Sequence, residues 1–175
     1  MPILLNRSPF SDKPSEIVVR NEIVRVREHQ IIVWVTLSLY RIATVNPMAI
    51  PFPVILDTGH NHSFSIHERH LAEWAGLQLN SLNVLSAIRH RGQRVLLRAA
   101  NIWVHPNEQG FRDKHSDISP HVIKAETGIA IYPGSDFPRL PIMGLRAIAE
   151  NNLLLKVDGP RREATLRTPI QWWPF

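Results

Sequence analysis

At 175 residues, 44% of them hydrophobic and 20% charged, the chain is long enough to bury one substantial core and too apolar to be intrinsically disordered. Twenty lysines and arginines against 15 acidic residues leave a net charge of +5, a surplus that an ordinary solvated surface absorbs without a dedicated anionic partner. The absence of cysteine excludes disulfides, thiolate metal sites and a cysteine nucleophile together.

In chain order, the opening MPILLNRSPF lacks the basic region and the apolar length of a secretion signal, so a cytoplasmic protein is expected. Residues 1–16 carry Pro2, Pro9 and Pro14 among polar residues with no clear period, which predicts an irregular arm. From Ile17, the Val- and Ile-rich EIVVRNEIVRVREHQIIVWVTLSLYR alternates in places and predicts two or three strands. Its longest apolar run, IIVWVTLSLY, is about half of the ~20 residues a membrane span requires and contains Thr36 and Ser38, so no membrane partner is expected.

Pro47, Pro51 and Pro53 are expected to stop any ladder before the short apolar strand Val54-Ile55-Leu56. The polar turn DTGHNH follows, and then SIHERHLAEWAGL, whose Ile66, Leu71, Trp74 and Ala75 approximate helical spacing. Ser65 is the expected cap and Gly76 the stop. VLSAIRHRGQRVLLRAANIWVHP places two apolar runs around Arg91, Gly92 and Gln93, the pattern of a hairpin with glycine at its tip. Residues 105–121 read as a long polar loop, IKAETGIAIYPG as a strand, and LPIMGLRAIAENNLLLKVDG as strand, Gly144, short helix and final strand. Many short strands and two short helices predict an all-β fold, a small closed barrel or a folded-over sheet.

The apolar strand leading into Asp57-Thr58-Gly59 supplies what acid hydrolysis of a peptide bond needs. The loop tip presents a carboxylate, the threonine hydroxyl can lock the loop, and a residue without a side chain lets its amide approach the carboxylate. A three-residue string of this kind is also common in plain turns. The balance shifts with the later Ile142-Met143-Gly144 ahead of a short helix.

With these three elements in order, Leu56-Asp57-Thr58-Gly59, the Gly92 hairpin and Ile142-Met143-Gly144, residues from about Ile31 to Gly159 resemble the retropepsin-like aspartic proteases. The resemblance implies that residues 17–160 form an acid-protease barrel with one or two short helices, that Asp57 is catalytic, and that Thr58 and Gly59 support it. It further implies that the hairpin from Arg89 to Arg94 is the flap, and that Gly144 packs against the active-site loop. His60, Arg91, Gly92, Gln93 and Gly144 are the residues expected at the substrate. Two positions depart from the family pattern: His60 stands where Ala or Ser is usual, and Leu145-Arg146 stands where Arg-Asp is frequent.

Acid hydrolysis requires two carboxylates a few ångströms apart that share one proton, one acting on water and the other on the carbonyl. The chain offers one DTG; Glu126-Thr127-Gly128 follows Lys124-Ala125 in place of an apolar triplet, and Asp136 lies in a PGSDF turn. The second carboxylate is therefore expected from another copy, so the active form is a homodimer acting on a peptide or protein, without a cofactor. Residues 161–175, ending in Trp172, Trp173 and Phe175, are expected to form an apolar tail that contributes to the dimer contact.

Two other classes stay open: a dimer of the same fold that binds peptides without cutting them, and a metal-binding protein. His60 and His62 alternate as on a strand, and His67 and His70 fall three apart on a helix, a spacing compatible with zinc. Isolated histidines of a polar surface explain the same pattern, and no metal ligands are assigned. The arginine groups Arg89, Arg91, Arg94, Arg98 and Arg161, Arg162, Arg167 have no aromatics between them, which argues against nucleic acid.

Overall fold

The computed structural model describes residues 2–134 and 140–169. The apolar runs become strands β1 (Ile3–Pro9), β2 (Ser15–Val19), β3 (Glu22–Val26), β4 (Ile31–Leu39), β5 (Phe52–Asp57) and β6 (Phe64–His67). After helix α1 (Glu68–Glu73) come β7 (Val84–His90), β8 (Gln93–Arg98), β9 (Ala100–His105), β10 (His121–Ile123), β11 (Ile129–Tyr132) and β12 (Ile142–Gly144). Helix α2 (Leu145–Glu150), β13 (Leu154–Asp158) and β14 (Glu163–Arg167) complete the order. The fold is all-β with two short helices.

Nine strands form one sheet in the order β10-β9-β4-β5-β12-β6-β11-β8-β7, and smaller sheets pair β2 with β3 and stack β1-β14-β13. The large sheet is open: β10 and β7 are its edges, and among the described residues no closed barrel forms. Third in that order, β4 is buried along nearly its whole length, because β9 and β5 flank it and the core covers it. Its two polar residues are satisfied inside. Thr36 Oγ1 lies 3.0 Å from His105 Nε2, and Ser38 Oγ accepts from the Trp103 indole at 2.9 Å.

Several expectations are corrected. Residues 1–16 are not an irregular arm, because Leu4 and Leu5 are buried in the main core and β1 pairs antiparallel with β14. The prolines bound or end that strand and do not abolish it. Through the same pairing, residues 163–167 are not part of a separate tail, since Ala164 and Leu166 share that core. Residues 170–175 and Asp136, with the dimer contact and the turn expected of them, lie outside the described residues.

Pro53 does not block the ladder. It sits inside β5 opposite Trp34, two residues before the stretch where β12 pairs with β5, so no partner needs its missing N–H. The helix after the polar turn starts later than expected. Ser65 stays in β6, which continues to His67 beside β11, and the His67 imidazole caps α1 by accepting from the Arg69 amide at 3.0 Å. Gly76, at φ +66°, stops that helix, with the Leu77 amide closing back onto the Leu71 carbonyl.

Burial within this frame tunes two histidines. His70 stacks on Trp74 with ring centroids 3.8 Å apart, and burial, reinforced by His67 and Arg69, lowers its pKa to about 4 against a weaker opposing pull from Glu73. His105 is likewise lowered to about 4 by burial and then by His115. The unfolded chain takes up these protons near pH 6.5 and the folded one does not, so their contribution to instability is absent above about pH 6.5 and grows as pH falls towards 4.

Two outcomes are expected. Replacing the fully buried Leu4 by Ala costs about 2–5 kcal/mol in urea unfolding, the penalty of a core position, where an irregular arm would lose less than about 0.5 kcal/mol. His70→Phe keeps the stacked ring and removes the titration, so between about pH 6.5 and about pH 4.5 the variant loses less unfolding free energy than the wild type.

Candidate active site

Strands β5 and β6 are consecutive in the chain but not neighbours in the sheet. Strand β12 lies between them, parallel to β5 with Gly144 opposite Asp57, and antiparallel to β6. The loop of residues 58–63 therefore arches over the end of β12. Gly144 fits beneath it because it has no side chain: a Cβ there would stand 2.1 Å from the His62 carbonyl oxygen and 2.5 Å from that of His60. The Gly144 amide instead donates to the Ser63 carbonyl at 3.1 Å.

Two side-chain bonds tie the arch down. The Ser63 hydroxyl donates to Glu150 of α2 at 2.9 Å, and His60 Nε2 meets Ser65 Oγ, fully buried in β6, at 2.6 Å. Ser65 also bonds Tyr132 of β11, whose phenol is raised above its ordinary pKa chiefly by burial. Tyr132 in turn meets His90 of the β7–β8 hairpin edge-on, with centroids 5.2 Å apart. A contiguous polar path thus runs from the loop through β6 and β11 to the hairpin.

At the top of the arch Asp57, Thr58 and Gly59 are exposed. The Gly59 amide donates to Asp57 Oδ1 at 2.9 Å, and the His60 amide to the Asp57 carbonyl at 3.2 Å, which fixes the carboxylate in orientation while leaving it open to solvent. The Thr58 hydroxyl has no hydrogen bond among the described residues. Asp57 acts electrostatically on His60. Burial first, then His62 and His90, lower the His60 pKa against the opposing pull of Asp57, and burial, Arg146 and His90 lower that of His62.

The residues predicted at the site are thus partly brought together. Asp57, Thr58, Gly59, His60 and Gly144 meet at one arch, whereas Arg91, Gly92 and Gln93 form the exposed tip of the β7–β8 hairpin, linked to the arch through His90. Gly144 is buried under the loop and positions it, so it does not face a ligand as expected; the close approach leaves no space there. His60 turns its imidazole to Ser65, buried in β6. Ser63, Tyr132 and Glu150 escaped the sequence reading, and Ser65 entered it only as a helix cap, since each acts through a partner on another strand or helix that no local pattern marks.

The histidines form no joint ligand set. His67 spends one nitrogen on the Arg69 amide and the other on the Gly134 carbonyl, and His70 is stacked on Trp74. Among the described residues no group of three or more His, Asp or Glu is arranged to hold a metal ion. Glu126, the other acidic turn residue, lines a different groove of about 770 Å³ with Tyr40, Asn101 and Trp103. No helix among the described residues is long and apolar enough to cross a membrane.

Comparison with protein-family models, with curated proteins and with solved structures finds no match in any of the three.

Gly144→Ala is expected to displace the arch, since the added carbon meets backbone and not a mobile side chain. A loss above about 3 kcal/mol in unfolding, with shifted amide resonances for residues 58–63, is the expected outcome. Gly76→Ala, strained at φ +66° but in open space, should cost only about 1 kcal/mol.

Proposed function

We propose that this chain is a retropepsin-like aspartic endopeptidase, acting as a homodimer in which two copies of Asp57 face each other across a two-fold axis. The observation that carries the proposal is the inserted strand β12. It holds an exposed DTG arch over a buried glycine, so that one carboxylate is held at the tip with its neighbours Thr58 and Gly59 exposed beside it. An outward carboxylate with no acidic partner among the described residues is what a symmetric dyad would use.

In the proposed reaction one Asp57 is ionised and its twin carries the shared proton. The ionised carboxylate takes a proton from a water molecule as its oxygen attacks the peptide carbonyl carbon, and the protonated twin gives its proton to the carbonyl oxygen. The resulting tetrahedral diol collapses by breaking the C–N bond. One hydroxyl proton returns to a carboxylate, and the amine leaves with the proton first taken from water. The bond from the Gly59 amide to Asp57 Oδ1 would keep the carboxylate in line through the cycle. The β7–β8 hairpin would cover an extended substrate, engaging its backbone.

The test is digestion of a mixed peptide library from about pH 4 to about pH 7 by wild type and by Asp57→Asn, with sedimentation of both proteins. Cleavage by the wild type, a loss of about a thousandfold or more in the variant, and dimers for both are expected. Equal cleavage by both proteins would assign the activity elsewhere. Peptide binding without cleavage by either would leave a non-catalytic peptide-binding dimer.

A further inference from the structure

The β7–β8 hairpin is built against its own stability. Its two-residue loop, Arg91-Gly92, has positive φ at both positions, +47° and +81°, the mirror-image turn that right-twisted hairpins prefer and that asparagine or glycine enters far more readily than arginine. One pair further in, Arg89 and Arg94 stand directly opposite each other, two like charges on one face of an antiparallel ribbon. All three guanidinium groups are exposed, and none has an ion pair or side-chain hydrogen bond among the described residues.

Arginine at positive φ recurs elsewhere in this chain, and there it has a partner each time. Arg7 pairs with Glu163 at 2.8 Å, and Arg162 with Asp12 at 2.9 Å. Arg20, in the corresponding turn between β2 and β3, donates to the Glu73 and Trp74 carbonyls at the end of α1. Arg91 alone among these four arginines has none. The other arginine group of the sequence is also neutralised in part, since Arg161 lies 3.8 Å from Asp158.

We propose that Arg89, Arg91 and Arg94 form an anion clamp that selects extended peptides with acidic residues flanking the bond to be cut. The inference rests on the peptidase reading for its substrate. Three features favour a peptide. Strand β7 is an edge of the large sheet, so the backbone groups on its outer side are available to an added strand. Val84 and Leu85 on the same strand are half exposed and offer apolar contacts. Residues 84–98 contain no Phe, Tyr or Trp on which a nucleic-acid base could stack. The clamp adjoins the arch through His90, which faces Tyr132 and acts electrostatically on both His60 and His62.

The probe is a labelled twelve-residue peptide of alternating Thr and Glu, compared with its Thr and Gln counterpart. Binding to the full-length Asp57→Asn protein, which would not consume the peptide, is followed by fluorescence anisotropy. At low salt the Glu peptide is expected to bind about tenfold tighter, and the advantage should shrink to within about twofold at 0.5 M salt. The combined Arg89→Gln, Arg91→Asn and Arg94→Gln variant should bind both peptides alike while melting no lower than its parent, because Asn-Gly suits the turn.

Equal binding of the two peptides, or a preference that survives in the combined variant, overturns the clamp and leaves the arginines as guards against edge-to-edge pairing. A single-stranded oligonucleotide of matched charge that binds tighter than the Glu peptide also overturns it, in favour of nucleic acid. Because binding needs no cleavage, a charge preference without proteolysis would sink the peptidase and keep the clamp. Proteolysis without the preference would do the reverse.

Discussion

The geometry of the arch depends on the missing side chain at Gly144, where an added Cβ would collide with the carbonyls of His60 and His62. No side chain fits in that gap, so β12 can end only beneath the loop that it supports. That contact forces β5 and β6 apart by one strand and brings the start of α2 under the arch. Glu150 then falls within reach of Ser63. A turn that would otherwise be free to move is thereby held from three sides: a backbone amide below, a carboxylate from the helix, and the buried hydroxyl of Ser65. The contact joins residues far apart in sequence, which makes the site a product of the tertiary fold rather than a local motif.

Electrostatics around the arch follow from the same packing. Burial depresses both His60, next to Asp57, and His62, so these imidazoles stay neutral further into acid than free histidines would. Arg146, on the first turn of α2, is a permanent charge by comparison, and its influence on His62 adds to the desolvation. His60 is used structurally: its ring joins the loop to β6.

The elements legible in the sequence were those written by continuous apolar runs or by glycines with a steric task. Strands β4 and β5, the hairpin turning at Gly92 and the helix following Gly144 all belong to this class. What stayed hidden depended on partners distant in sequence. Residues 3–9 look irregular because prolines surround them, yet Leu4 and Leu5 find a core only through β14, contributed by the other end of the chain. The position of Pro53 inside a strand is explained only by where β12 begins, and the cap at His67 only by how far β6 is carried by β11. Whether the large sheet closes on itself is a question of strand order, which periodicity does not contain. Its two edges, β10 and β7, make it open.

The inner and outer sides of the arch differ in a way that bears on how such a site would be completed. Inward, Ser63, Ser65 and Gly144 have their hydrogen-bonding groups matched within one chain. Outward, Asp57 keeps one oxygen free of the Gly59 amide, and the Thr58 hydroxyl, though at the crest, has no partner among the described residues. Hydrogen-bonding groups fixed at a convex tip are solvated at little cost in a lone chain, so their freedom does not destabilise the protomer. The same rigidity means that a second arch related by a two-fold axis would meet them already oriented, threonine to threonine and carboxylate to carboxylate, with little further ordering needed. On the proposed reading, the chain spends its internal contacts on holding the loop still and leaves for its twin the groups that require one.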